Sequence, residues 1–482
     1  MDTSLRVRLS TMMFLEYFLW GAWSVPLVGF LSALPSSGGL GFPGSYVAMI
    51  YATTAIGAMI SPLFIGLFAD RLFATEKVLA VLHLGGAALL GFAAYSADRN
   101  RPQIQSAFEQ AAREYRMGDS NLFQALKDQD ANAPDEETQK RINKAVEEVN
   151  KQPAVAQAVS GSYQPLFALM MVYALCYMPT VTLTNSLSFR NLSDPDKYFG
   201  GIRVLGTIGW IIAGWVVGFG MNAISAQPLY LAAAGSAVLG VFSLALPHTP
   251  PSRESKTLGE TLGLPALEML KDRSFLVFFI CSFLICIPLT FYYTWTFNFL
   301  VHIHVPHASA VQTLGQISEI FFMLVLSVCL LKFGTKWMLV FGMLAWCLRY
   351  AIFAWQNTAA VVAVGLPLHG ICYDFFFVVS YLYVDRQAPR QLRASAQGLI
   401  TFITLGAGMF VGNLVGGAVK DHFTVGDQIE YGGFWLVPLA IAAACTLLFA
   451  AFFRDSPAMA AGVPLSKALE GLEPVEPPEQ VH

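Results

Sequence analysis

The chain has 482 residues, 55% of them hydrophobic and only 13% charged, with a mean hydropathy of +0.54. Soluble domains carry about 25% charge, so this composition excludes an ordinary soluble protein and points to an all-α polytopic membrane protein. The net charge of -3 says nothing about partners, and the seven cysteines lack CxxC spacing, so neither a disulfide framework nor a metal site is expected.

Taken in chain order, apolar runs long enough to cross a hydrocarbon core of about 30 Å fall at 10–33, 45–69, 78–97, 163–187, 203–222, 227–247, 274–300, 309–331, 337–355, 359–383, 395–419 and 432–453. Arg6 and Arg8 precede a first run long enough to span, so no cleavable signal peptide is expected. Twelve transmembrane helices put both termini on one side. Arg71, Lys77, Arg190, Lys197, Lys271, Arg273, Lys332, Lys336, Arg386, Arg393 and Arg454 all fall on that side, and the positive-inside rule makes it cytoplasmic.

Two polar segments interrupt the runs. Residues 98–162 hold about 20 of the 61 charges and are expected to form an extracytoplasmic helical or disordered insertion, with Gln105–Tyr115 and Glu136–Val149 reading as helical. Residues 248–273 are expected to link two halves through the cytoplasm. The division is therefore helices 1–3 in 1–97, the insertion, helices 4–6 in 163–247, the linker, six further helices in 274–453 and a cytoplasmic tail at 454–482. The halves echo each other: Arg203-Val-Leu-Gly-Thr207 opens the fifth helix and Arg393-Ala-Ser-Ala-Gln397 the eleventh. Six-helix repeats enclosing a midplane site are one transporter architecture. Glycines at four-residue spacing, Gly214 and Gly218 and then Gly408, Gly412 and Gly416, suit close helix packing.

The chemistry sits in the charges left inside apolar runs. Asp374 in Gly370-Ile-Cys-Tyr-Asp374-Phe-Phe376, Glu319 in Gly315-Gln316-Ile-Ser-Glu319 and Glu16 in Phe14-Leu-Glu16-Tyr17 each cost roughly 2.5–3.5 kcal/mol at a bilayer centre. Such groups face a wet cavity or a partner, and proton coupling needs a group whose protonation changes between two states of a transporter. Asp374, Glu319 and Glu16 are the candidates, with Arg203 as an alternate partner. His83 reads as a packed core residue. His302, His304 and His307 lack a completing ligand, so no metal is expected. Gly39-Leu-Gly41-Phe-Pro-Gly44 satisfies GxGxxG without a preceding strand and is a decoy. No nucleophile–base constellation and no nucleotide-binding loop occurs, so the chain reads as a secondary transporter without a cofactor and not as an enzyme.

Gly66-Leu-Phe-Ala-Asp70-Arg71 resembles the cytoplasmic gating motif of the major facilitator superfamily. More specifically, the chain is similar to bacterial nucleoside:proton symporters in Leu19-Trp20-Gly21-Ala-Trp23, Tyr177-Met-Pro-Thr180 with Asn185, Gly206-Thr207-Ile-Gly209, Gln316-Ile-Ser-Glu319, Tyr373-Asp374-Phe-Phe376 and Arg393-Ala-Ser-Ala-Gln-Gly398. The resemblance covers nearly everything except 98–162. It implies the major facilitator fold, in two six-helix pseudo-repeats, and proton-coupled nucleoside uptake by a monomer in the inner membrane. It also implies a cavity lined by Arg203, Thr207, Trp210, Gln316, Glu319, Tyr373 and Asp374. A family tyrosine becomes His369, and two family amides fall near Thr290 and Tyr293. Loss of those amides motivates a rival cargo, a sugar or a nucleobase, and a transport-inactive sensor is the remaining alternative.

Overall fold

In the computed structural model, the structure describes residues 2–64, 73–115, 136–251, 259, 263–389, 392–426 and 428–455. These residues are almost entirely helical, as a chain must be when no water is available to satisfy its backbone. The first span is Thr3–Ser32, followed by Gly44–Phe64, Thr75–Tyr115, Pro153–Asn191, Pro195–Gly220 and Gln227–Ser243. In the second half Arg273–His302 is the seventh. The continuous segment Ala308–Trp355 divides at Gly334, whose φ of 73° and ψ of 171° are not helical, so it holds the eighth and ninth spans. The tenth is a bent pair, Thr358–Gly365 and Leu368–Gln387, at 46°. Ser395–His422 and Tyr431–Phe452 complete the set. Among the described residues nine helices qualify by length and apolarity alone, or ten with the bent pair. Division at Gly334 and the 17-residue Gln227–Ser243 bring this into agreement with the twelve expected.

Side chains start several of these helices. Asp2 accepts from the Ser4 amide at 3.2 Å, Asp272 from Phe275 at 2.7 Å and Glu430 from Gly433 at 2.8 Å, satisfying amides that have no partner in a first turn. Within the first half the first span packs on the fifth and sixth, and the third on the fourth and sixth. In the second half the seventh packs on the eleventh and twelfth, and the ninth on the twelfth. The halves meet where the second span packs on the eleventh and the fifth on Ala308–Gln312. Glycine makes these contacts close. A Cβ at Gly218 would lie 2.7 Å from the Ala310 nitrogen, and one at Gly412 would lie 2.2 Å from the Thr290 hydroxyl.

The third span runs on as helix to Tyr115, and Glu136–Asn150 is a further helix. Its Ala145, Val146 and Val149 are buried. It packs on the third and fourth spans and also touches the short hairpin Thr424–Val425/Gln428–Ile429 of the second half. On that same face Asp421 accepts from the Gly44 and Ser45 amides at 2.6 and 2.9 Å, and Asn298 donates to Ser32 at 2.6 Å. These bonds tie the eleventh and seventh spans to the second and first. A cavity of about 860 Å³ lies among them, lined by Ser32, Tyr46, Glu147, Lys151, Asn298 and Lys420.

Candidate functional site

The bundle's polar interior is built from both halves. On the fifth span, Arg203 lies over the Tyr17 ring at 4.1 Å, a cation–π contact that needs no anion nearby. About two turns on, Trp210 meets Trp20 edge to face at 5.6 Å, and Trp20 meets Tyr177 at 5.7 Å. Thr207 is half-buried between them in sequence. Across the interface, Tyr293, Gln312, Thr313 and Gln316 join Gly21 and Trp210 around a small gap of about 10 Å³, room for about one water.

Glu319 and His369 form the centre of the second half. Glu319 Oε1 lies 3.0 Å from His369 Nε2, with the carboxylate side chain 18% exposed and the imidazole fully buried. The Tyr293 hydroxyl stands 3.4 Å from the same nitrogen. The imidazole stacks on Tyr292, centroids 4.4 Å apart and planes within 23°, while Tyr373 lies tilted against it at 5.8 Å. Asp374 opens a wide turn, Asp374–Val378, is 1% exposed, and neither of its oxygens meets a donor among the described residues.

The structure thus groups Glu319, His369, Tyr293 and Tyr373 in direct contact, with Gln316 and Trp210 beside Tyr293 around the small gap, while Arg203 lies on Tyr17 and Thr207 stands between Arg203 and Trp210 along the fifth span. Thr290 stands apart. Its hydroxyl donates to the Ile287 carbonyl at 2.7 Å and faces Gly412 of the eleventh span. Gly66, Asp70 and Arg71 lie outside the described residues.

Two residues escape the sequence reading, His83 as a partner of Glu16 and Arg349 altogether. Glu16 is fully buried, its Oε2 3.0 Å from His83 Nε2, while Oε1 accepts from the Thr180 hydroxyl at 2.7 Å. His83 is therefore a partner of Glu16 as well as a core residue. Nothing local joins positions 16 and 83, and only packing of the first span near the third and fourth brings them together. Arg349 is fully buried on the ninth span. Its signal was present, a charge inside the apolar run 337–355, the same signal that marks Asp374.

A family model described as nucleoside H+ symporter matches residues 1–102 and 150–458. The chain belongs to the nucleoside proton-symporter family. Residues 103–149, which contain most of the polar insertion, fall between the two matched segments. The chain is 36% identical over 468 residues to YegT of Escherichia coli (strain K12), covering 93% of this chain and 94% of that one. It is 26% identical over 471 residues to the nucleoside permease NupG of Escherichia coli (strain K12), covering 94% and 96%. A crystal structure of the nucleoside transporter NupG superposes with a TM-score of 0.73 at 26% identity, over 95% of this chain and all of that one. This multi-pass membrane protein of the nucleoside proton-symporter family shares the major facilitator fold of that solved transporter.

Proposed function

We propose that this protein imports nucleosides together with protons across a cell (inner) membrane by alternating access, its termini and linker in the cytoplasm and its insertion outside. Glu319 with His369, and Asp374 beside them in the sequence of spans, carry the proton. The observation that carries this reading is the Glu319–His369 contact itself. A half-buried acid, 18% exposed and 3.0 Å from a buried imidazole, keeps a surface through which it can exchange a proton.

A nucleoside has a flat base and a hydroxylated sugar. Trp210, Tyr293 and Tyr373 offer ring faces, each worth about 0.5–1.5 kcal/mol beyond burial when stacked. Gln316, Thr207 and Arg203 supply donors and acceptors to the sugar. With the halves bonded to each other on the insertion face, through Asp421 and Asn298, the conformation is closed outside. Rocking of one half against the other then breaks those bonds and exposes the same site outward, as expected of paired six-helix repeats. Thr290, occupied by its own backbone, serves packing. Glu16, sealed with His83 and Thr180, serves as a clasp within the first half, and its substitution tests whether it also exchanges protons.

A panel of radiolabelled nucleosides, nucleobases and sugars, assayed in transport-deficient cells with and without a protonophore, tests the reading. Saturable nucleoside accumulation that collapses with the protonophore supports it. Accumulation of a sugar or base but of no nucleoside refutes the cargo.

A further inference from the structure

We propose that Arg349 is a positioning residue of the proton-coupling centre: it fixes the Tyr292 ring and the break in the tenth span, and through them holds His369 against Glu319. The inference rests on the transport reading above and adds a residue to it. Arg349 is the one fully buried arginine among the described residues, and it forms no ion pair there. Guanidinium groups stay charged in proteins, so a residue kept only for packing would be better served by an apolar side chain. An intramembrane charge retained at that cost marks function.

Its contacts say which function. Arg349 Nε donates to the Gly365 carbonyl at 3.2 Å. In an unbroken helix that carbonyl would be bonded by the amide of His369. The His369 amide donates instead to Leu366 at 3.0 Å, because the tenth span bends between Gly365 and Leu368. Arg349 takes the carbonyl that the bend releases, and so bolts the bend in place. Its two terminal nitrogens meet no acceptor among the described residues. The guanidinium lies over the Tyr292 ring at 4.2 Å and over Trp346 at 5.0 Å, and the Tyr292 ring stacks on the His369 imidazole at 4.4 Å.

A single path therefore runs from Arg349 through Tyr292 to His369 and on to Glu319. The groups facing the imidazole are Glu319 from the eighth span, Tyr292 and Tyr293 from the seventh, Trp346 and the Arg349 charge from the ninth, and Tyr373 on its own helix. Arg349 supplies the standing positive charge of this set.

The test uses full-length protein in proteoliposomes with labelled uridine and adenosine, comparing wild type, R349Q, R349K, H369Q and R349Q/H369Q. Two readouts are taken: accumulation driven by an imposed proton gradient, and exchange of internal for external nucleoside without a gradient. R349Q is expected to lose proton-driven accumulation by about tenfold or more while exchange persists, and the double variant to be no worse than H369Q, since residues in one path are not additive. R349K, which keeps the charge and one donor for Gly365, is expected to recover part of the loss. It also decides the matter if R349Q does not fold. Wild-type accumulation in R349Q or R349K-independent behaviour, or losses that multiply in the double variant, would overturn the role of Arg349. Wild type that exchanges nucleoside but never responds to a proton gradient would instead overturn the transport reading beneath it.

Discussion

Glu319 on the eighth span and His369 on the tenth meet at 3.0 Å, and the same distance separates Glu16 on the first from His83 on the third. The two pairs differ in access. Glu319 keeps part of its surface open, whereas Glu16 is sealed and its second oxygen is taken by Thr180. The same pair of residue types is thus partly open in one half and sealed in the other, and the proposed function assigns exchange to the first and a clasp to the second.

Glu319→Gln removes the exchangeable proton and leaves a side chain of the same shape. Proton-driven accumulation is expected to fall by about tenfold or more, while gradient-free exchange survives, since the lost interaction involves a charged group and such bonds are worth about 1.5–3 kcal/mol. Parallel uptake and exchange assays check this.

Glu16→Ala strands Nε2 of the buried His83 imidazole, while the Thr180 hydroxyl keeps the Tyr177 carbonyl as acceptor. The cost is about 1–3 kcal/mol, expected as a melting temperature lowered by several degrees in detergent. Glu16→Gln, which still accepts from Thr180, is expected to melt closer to wild type and to keep proton-driven uptake. Loss of that uptake in Glu16→Gln at normal stability would move Glu16 into the exchange mechanism.

Trp210→Ala deletes a ring face from the fifth span. Loss of about 0.5–1.5 kcal/mol of stacking predicts nucleoside affinity weaker by roughly twofold to tenfold, read as a higher KM with the proton dependence intact.

Gly426 turns the hairpin on the insertion face with φ +67°, and a Cβ there would lie 2.1 Å from the Asn143 Cα. Gly426→Ala therefore forces the insertion helix off the second half. In a background with the native cysteines replaced, Ser32→Cys beside the adjoining cavity is expected to react several-fold faster with a membrane-impermeant thiol reagent. An unchanged rate would show that this contact does not hold the face closed.

Much of this was readable in the chain. Apolar length located the spans, and the helices of the described residues are consistent with twelve, because backbone in lipid has few alternatives to helix. The stranded charge at 319 marked a residue that the structure pairs with His369, and the one at 374 a buried acid that meets no donor among the described residues. What was not readable was pairing. His83 looks like any core histidine until the third span lies beside the first. Arg349 carried the same warning as Asp374 but belonged to none of the motif strings that carry the family resemblance. Thr290 occupies the expected position on its helix, yet a glycine at 412 on a distant span decides what its hydroxyl faces. Spacing along one helix selects a face, and only the neighbouring helix decides what that face meets.

The central claim is that nucleoside and proton cross together through Glu319 and Asp374. The most direct measurement is lumenal pH in proteoliposomes on adding external nucleoside, for wild type, Glu319→Gln and Asp374→Asn. The account predicts nucleoside-dependent acidification in wild type that is abolished in both variants, with nucleoside binding retained. Acidification that persists in both variants, or wild type that accumulates nucleoside with no proton movement, would contradict it.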